Sequence, residues 1–246
     1  MLNVCLIGYG SWGRLLYKRL IKLSKVIKIL NSKNYSLKKL DNIDWIIIAT
    51  PVNTHYKIVK DCLKLKKNII CEKPLTLKYS QAVKLYNLAE KNNTKIFVSD
   101  FSDYKKKIKI NKKNNLFQRF KNSKDDNKKK TKRYDLLYRL AYHDISYIYN
   151  YIYKKKIDLI KILTSKPFLK FIIKVNNKNF IFHYDTLNKK KIHVFNEKNL
   201  YQNKDMIKKM FIDYIYKKKS YRMNKKKSLY TIKLLEKIKN KIQKTV

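Results

Sequence analysis

Glycine is nearly missing from this chain. Only three occur in 246 residues, and all three fall inside one hexapeptide, Gly8-Tyr9-Gly10-Ser11-Trp12-Gly13. Glycine tolerates positive φ and lets a ligand or a second backbone come close, so residues 8–13 are where this backbone needs that freedom. Cysteine is equally sparse. Cys5, Cys62 and Cys71 sit in apolar strand or helix contexts without metal-ligand spacing, which argues against a disulfide framework or a metal centre and predicts reduced, buried thiols in the cytoplasm. Long apolar runs are lacking too. No segment approaches the roughly 18 residues of a membrane span, and the N-terminal apolar run stops at Gly8 instead of continuing as a signal peptide.

Acidic residues are the other shortage: 17 against 61 basic ones, for a formal net charge of +44. Such a balance first suggests a nucleic-acid or anionic-membrane partner. The charge is built the wrong way for that. Only Arg14, Arg19, Arg119, Arg133, Arg139 and Arg222 are arginines, the residue suited to bidentate phosphate and base recognition. The lysines are scattered through every kind of segment, whereas a dedicated binder clusters its charge. Together with abundant Asn, Ile and Tyr, they fit the compositional bias of an A+T-rich coding sequence. No dedicated nucleic-acid partner is expected, although the field attracts anionic ligands.

What is present is enough to fold. Hydrophobic residues make up 44% of the chain, which excludes wholesale disorder. Through residue 98, apolar runs at Asn3–Ile7, Val26–Leu30, Trp45–Ala49, Asn68–Cys71 and Lys95–Val98 alternate with amphipathic stretches. Helices are predicted over Ser11–Leu23 and over Tyr79–Lys91, where Ala82, Leu85, Tyr86 and Ala89 recur at helical spacing. Strands separated by helices imply a parallel, doubly wound α/β domain over 1–98.

Residues 99–246 are expected to form a smaller α+β domain with a mostly antiparallel sheet. It opens with a polar loop near 104–132, then a helix over Tyr134–Tyr153. Strands at Phe168–Val175, Phe180–Tyr184 and Ile192–Phe195 read as consecutive and antiparallel. Helices over Lys204–Tyr216 and Lys225–Lys241 close the chain.

The spacing G-x-G-x-x-G between a strand and a helix has a physical meaning. Gly8 permits the turn, Gly10 admits a pyrophosphate, Gly13 allows close helix-strand packing, and the helix aims its N-terminus at the phosphates. Tyr9, Ser11 and Trp12 share that loop. Ligands of open α/β sheets bind beyond the carboxyl ends of the strands, which puts Ala49-Thr50-Pro51, Asn53 and His55 at the same crevice. His55 taken alone is as well explained by packing at a helix start. The next strand ends in Cys71-Glu72-Lys73-Pro74, where a lysine partly removed from water can exchange a proton, and a cis bond before Pro74 is cheap.

The glycine loop, the Ala-Thr-Pro turn, the Glu-Lys-Pro strand end and the later His143-Asp144 pair together resemble the Gfo/Idh/MocA family of NAD(P)-dependent oxidoreductases. The resemblance is tightest from Thr50 to Leu77 and runs nearly end to end. It implies a Rossmann domain holding NAD or NADP through Gly8, Tyr9, Gly10, Ser11, Trp12, Gly13, Asn31, Ser32, Thr50, Pro51, Asn53, His55, Glu72 and Lys73. It further implies Lys73 and His143 as catalytic residues, Asp144 as support for its turn, and a carbohydrate-type small-molecule substrate. Members commonly associate through a dimer face, so a homo-oligomer is among the implied partners.

Three departures qualify this. Arg139 stands where many members carry an Asp four residues before the histidine, and a guanidinium cannot act as a base. Either Lys73 and His143 work without it, or Arg139 binds an anionic substrate group, or the chain is a catalytically reduced nucleotide-binding homologue serving as a sensor or assembly subunit. Asn31-Ser32-Lys33 replaces the acidic residue that bonds the adenosine ribose, which favours NADP over NAD. The chain is also short between Asn31 and Trp45 and between Val98 and His143, implying narrower sheets and a weaker dimer face. A nucleic-acid-binding protein, motivated by charge alone, is the remaining and less favoured reading.

Overall fold

The computed structural model describes residues 2–31, 35–36, 40–105, 107–120, 136–165, 168–188, 190–200, 205–217 and 221–244. The chain forms two units. The first comprises Met1–Tyr104 and Asp205–Lys233, the second Lys105–Lys204 and Leu234–Val246.

In the first unit, β1 (Asn3–Ile7), β2 (Lys25–Leu30), β3 (Trp45–Ile48), β4 (Asn68–Glu72) and β5 (Ile96–Ser99) make a parallel sheet in the order β2-β1-β3-β4-β5. The four strands from β1 rightwards are buried on both faces, which is why their sequences are continuous apolar runs. Helices α1 (Ser11–Leu20), α2 (Val52–Lys64) and α3 (Tyr79–Lys91) supply the crossovers. Because β2 and β3 lie on opposite sides of β1, the winding direction reverses between β1 and β3. That reversal is where doubly wound sheets open their ligand crevice.

The core of this unit draws on residues far beyond position 98. Val4, Leu6, Trp45, Ile47, Ile70 and Phe97 pack on Leu16 and Leu20, but also on Met210, Phe211, Tyr214 and Ile215 from much later in the chain. These belong to α6 (Met206–Phe211) and the π-helical turn Ile212–Lys217. An apolar sheet face must be covered, and this segment returns to complete the cover that α1 begins.

The final helix, α7 (Tyr221–Lys244), starts in the first unit. Its Lys227 is 2% exposed and caged, with Nζ 2.6 Å from Asp103 Oδ1, 2.7 Å from Ser102 Oγ and 3.4 Å from Asp100 Oδ2. Acidic partners are what make a buried ammonium tolerable, and here they pin the loop that follows β5.

The second unit is a six-stranded sheet in the order β11-β10-β6-β9-β8-β7. Its strands are β6 (Asn114–Phe120), β7 (Ile157–Ser165), β8 (Phe168–Val175), β9 (Lys178–Asp185), β10 (Ile192–Phe195) and β11 (Lys198–Asn199). Only the β6–β9 pair is parallel. One face is a slab of aromatic rings, with Phe182 stacked 4.5 Å from Phe171 and 5.2 Å from Phe117.

The sheet amends the expected loop at 104–132. Residues 114–120 form β6 near its middle, inserted between β9 and β10, so those two strands are not neighbours. Leu116, Phe117 and Phe120 supply enough apolar surface for a strand despite the lysines around them, and β9 and β10 provide the ladder. Residues 121–132, the end of that stretch, lie outside the described residues. The helix expected over Tyr134–Tyr153 is broken into a π-helical turn (Leu137–Ala141), α4 (Tyr142–Tyr147) and α5 (Tyr149–Ile152). No helix among the described residues is long and apolar enough to cross a membrane.

Candidate nucleotide crevice

The three glycines do different work. Gly8 has φ +104°, and a Cβ there would lie 2.5 Å from the Ala49 carbonyl oxygen. A Cβ on Gly13 would lie 2.0 Å from the Gly8 carbonyl oxygen. Both are needed simply to close the loop against the end of β3. Gly10 is different: its φ of −70° and ψ of −172° suit any residue, and an added Cβ would meet nothing within 4 Å among the described residues. The fold itself therefore gives no reason for a glycine at position 10. The space a side chain would take is open, as a pyrophosphate lying against the backbone requires.

Next to that space, α1 begins without an acidic residue in its first turn. The Arg14 N–H bonds the Gly10 carbonyl at 2.9 Å, so the amides of Ser11, Trp12 and Gly13 precede the first helical bond. They carry the positive end of the helix. Tyr9 and Trp12 are 40% and 37% exposed beside them. The Gly8 N–H bonds the Leu30 carbonyl at 2.7 Å, which sets exposed Asn31 at the edge of the same loop. Ser32 lies outside the described residues.

The Ala49-Thr50-Pro51 turn is held from two sides. The Ala49 N–H bonds the Ile7 carbonyl at 2.8 Å, and Thr54 Oγ1 lies 2.7 Å from both Thr50 Oγ1 and the Pro51 carbonyl oxygen. Thr50 is half-buried, while Pro51 and Asn53 are exposed at the start of α2, which likewise lacks a first-turn acid.

His55 is 1% exposed, its Nδ1 2.9 Å from the Pro74 carbonyl oxygen and its Nε2 2.9 Å from that of Thr50. It therefore ties the Thr50 turn to the Glu-Lys-Pro turn from inside. With both ring nitrogens 2.9 Å from carbonyl oxygens, it is placed as a strut between the two turns. Burial holds its pKa below the usual imidazole value, against the pull of those carbonyls.

Lys73 is half-buried at the end of β4, and the Lys73–Pro74 bond is cis. Its neighbour Glu72 points into the protein at 9% exposure. Burial raises the Glu72 carboxyl pKa, while hydrogen bonding with the side chains of Trp12 and Ser99 and the charge of Lys73 act the other way. Its Oε1 is left buried without a hydrogen-bond partner among the described residues. An orphaned oxygen under the glycine loop, an open Gly10 and two acid-free helix starts all fit a dinucleotide. Trp12 also meets Phe101 edge-on at 6.1 Å, a contact across ninety residues that no spacing rule could have revealed.

In the second unit, His143 is half-exposed on the first turn of α4, whereas Asp144 is fully buried. Asp144 Oδ1 lies 2.7 Å from His193 Nε2, and Oδ2 accepts from Tyr184 OH at 3.1 Å. Burial tends to raise the Asp144 pKa, but His193, Arg119 and Lys105 prevail and hold it low. His193 is held low by burial against the attraction of Asp144. Sequence reasoning passed over His193, because one histidine in a strand of alternating pattern carries no signal. Arg139 is half-buried in the π-helical turn before α4. Lys73 and His143 belong to different units.

Residues 19–100 match the model of the Gfo/Idh/MocA oxidoreductase family, NAD-binding Rossmann fold. Over this third of the chain, then, the sequence is similar to that family. An uncharacterized oxidoreductase of Schizosaccharomyces pombe is 39% identical over 57 residues, 23% of this chain and 15% of that protein. The myo-inositol 2-dehydrogenase of Thermotoga maritima is 32% identical over 56 residues, 23% of this chain and 17% of its own. In sequence, then, the chain spans well under a fifth of these relatives.

The likeness in fold reaches further. The WlbA dehydrogenase of Thermus thermophilus, solved with NAD and UDP-GlcNAcA, superposes with a TM-score of 0.78 over 96% of this chain and 95% of that one, at 12% identity. At that identity the match speaks for the fold, a parallel Rossmann sheet with a second mixed-sheet domain.

Proposed function

We propose that this chain is a nicotinamide-dependent oxidoreductase that moves hydride between the cofactor and a hydroxyl or keto group of a sugar, sugar nucleotide or polyol. The observation that carries the proposal is Gly10, the one glycine with no internal cause, set between the positive end of α1 and the turn at Thr50. The bound cofactor would supply the hydride acceptor or donor. Gly8–Gly13 would seat its pyrophosphate, Thr50, Pro51 and Asn53 would flank it, and Glu72 and Lys73 would lie toward its reactive end. Following the family pattern, Lys73 exchanges the substrate hydroxyl proton and His143 is the second proton-handling group.

The carbohydrate class is supported by the relatives, one named for myo-inositol and one solved with a sugar nucleotide. NADP is preferred over NAD because Asn31 leaves no carboxylate to repel a 2′-phosphate. The three buried thiols support a reducing, cytoplasmic setting. The second face of the six-stranded sheet, where Leu116, Ile172, Ile181 and Leu163 stay partly exposed, supports a homo-oligomer.

The test is a thermal-shift comparison of NADPH, NADH and no ligand. A ligand at 100 times its Kd adds about 2.7 kcal/mol of apparent stability, so a clear rise in Tm is expected, larger for NADPH. No shift at millimolar concentration of either would overturn the proposal. Arg139 motivates one second reading, a homologue that binds the nucleotide without chemistry. A Tm rise with no hydride transfer across a broad panel of sugars, sugar nucleotides and polyols would select it.

A further inference from the structure

His193 lies outside every motif above, yet its surroundings are built around Asp144. In the sheet register His193 of β10 stands opposite Arg119 of β6, and Arg119 opposite Tyr184 of β9. Three polar side chains therefore line up across adjacent strands at one end of a face that is otherwise mostly apolar, with Phe117, Phe171, Phe182 and Phe195 at its centre. Asp144 sits on that row with one donor for each oxygen, His193 Nε2 on Oδ1 and Tyr184 OH on Oδ2. A buried carboxylate has to find its donors inside the protein, so His193 carries its proton on Nε2. The nearby charges of Arg119 and Lys105 favour the ionised carboxylate. Nη1 of Arg119 is buried and has no hydrogen-bond partner among the described residues, while the imidazole holds Oδ1 directly at 2.7 Å.

The anchored residue sits next to His143. α4 has six residues and follows a π-helical turn, and so short a helix gains little definition from its own hydrogen bonds. What sets its rotation is the side chain it plants in the sheet. Successive helical residues leave the axis about 100° apart, so fixing Asp144 inward fixes the direction of His143. The exposures agree: Tyr142 and Asp144 are buried on either side of a half-exposed His143.

We infer that His193 is a positioning residue for His143, acting through Asp144. This rests on the reading in which His143 handles the substrate proton.

The test compares His193→Leu, which removes the donor, with His193→Gln, whose amide N–H can reach the carboxylate. Two readouts are needed. One is steady-state kinetics: misplacement of a reacting group by about 1 Å costs on the order of 100-fold, so His193→Leu should lower kcat about 30- to 100-fold with the cofactor KM unchanged, and His193→Gln should recover most of it. The other needs no substrate: the pH titration of the His143 imidazole resonance, assigned with His143→Ala. His193→Leu should move its chemical shift and midpoint, and His193→Gln should restore them.

If His193→Leu fails to fold, Tyr184→Phe removes the donor to Oδ2 while keeping the ring, and should give the same displacement in smaller measure. An unmoved His143 titration in a folded donor-deleted variant overturns the inference, as does an equal effect of Leu and Gln. Normal turnover by His143→Ala would instead overturn the catalytic reading of His143, and the titration would still decide whether His193 positions it.

Discussion

Asn224 holds Val98 by both of its backbone groups. Its Oδ1 accepts from the Val98 N–H at 2.8 Å, and its Nδ2 donates to the Val98 carbonyl at 2.9 Å and to Tyr214 OH at 2.9 Å. Val98 lies on β5, an edge strand, and an edge presents backbone groups that need partners. One carboxamide from α7 thus takes the place of a neighbouring strand.

Removing that carboxamide should be costly. Asn224→Ala strands an N–H, a carbonyl and a hydroxyl in the interior, and each buried orphan costs about 1–3 kcal/mol. With some relaxation, a loss of about 3 kcal/mol is expected, measured from the urea midpoint at unchanged m. Asn224→Asp should be harmful as well, since a carboxylate cannot donate to the Val98 carbonyl.

The glycines should separate by substitution. Gly8→Ala and Gly13→Ala push a methyl group into backbone and should destabilise by about 3 kcal/mol or more. Gly10→Ala should stay within about 0.5 kcal/mol of the parent, while its dinucleotide affinity falls at least about tenfold, or 1.4 kcal/mol. Chemical denaturation and a cofactor titration on the same three proteins check this. Unchanged affinity in Gly10→Ala would remove the pyrophosphate from that loop.

Tryptophan emission should report the crevice. Trp45 is 2% exposed in the core and Trp12 is 37% exposed on the glycine loop. Saturation with NADPH should diminish acrylamide quenching of Trp12 alone. Trp12→Phe should abolish the change, and a persisting change would place the nucleotide elsewhere.

Stability should rise with pH between about 5 and 7.5. Burial lowers the pKa of His55 and of His193 below the usual imidazole value of about 6.5. Below that value the unfolded chain binds protons that the native state refuses, so acid favours unfolding, at up to about 1.4 kcal/mol per pH unit for each such proton. Glu72 has the opposite sign: its raised pKa makes the native state hold a proton that the unfolded chain releases above 4.5. Urea midpoints across this range should climb in the parent and flatten in His55→Gln and His193→Gln.

The first sheet was legible because its strands from β1 to β5, β2 apart, are buried on both faces. Residues such as Ile46, Ile47 and Ile48 then form an uninterrupted run, and Gly8 marks its end. The peptide ties of Thr50 and Pro74 to His55 were foreseen only as neighbouring motifs, since hydrogen-bond partners are a property of folding. β6 escaped notice because its apolar residues stand among lysines and its strand character comes from β9 and β10. Periodicity identified the helix near Met210 and Phe211, yet it could not say which sheet that apolar stripe would cover. His193 was invisible for the same reason. A side chain's meaning there depends on the residue across the strand.

The late return of Met210, Phe211, Tyr214 and Asn224 to the first sheet has a consequence during synthesis. As the ribosome delivers the chain in order, the first sheet emerges with one apolar face covered only in part, by α1, and the outer edge of β5 without its partner. It stays so until translation has passed Asn224 and that segment has left the exit tunnel. Truncations before that point should yield nascent chains that cling to chaperones, although every glycine of the loop was made within the first thirteen codons.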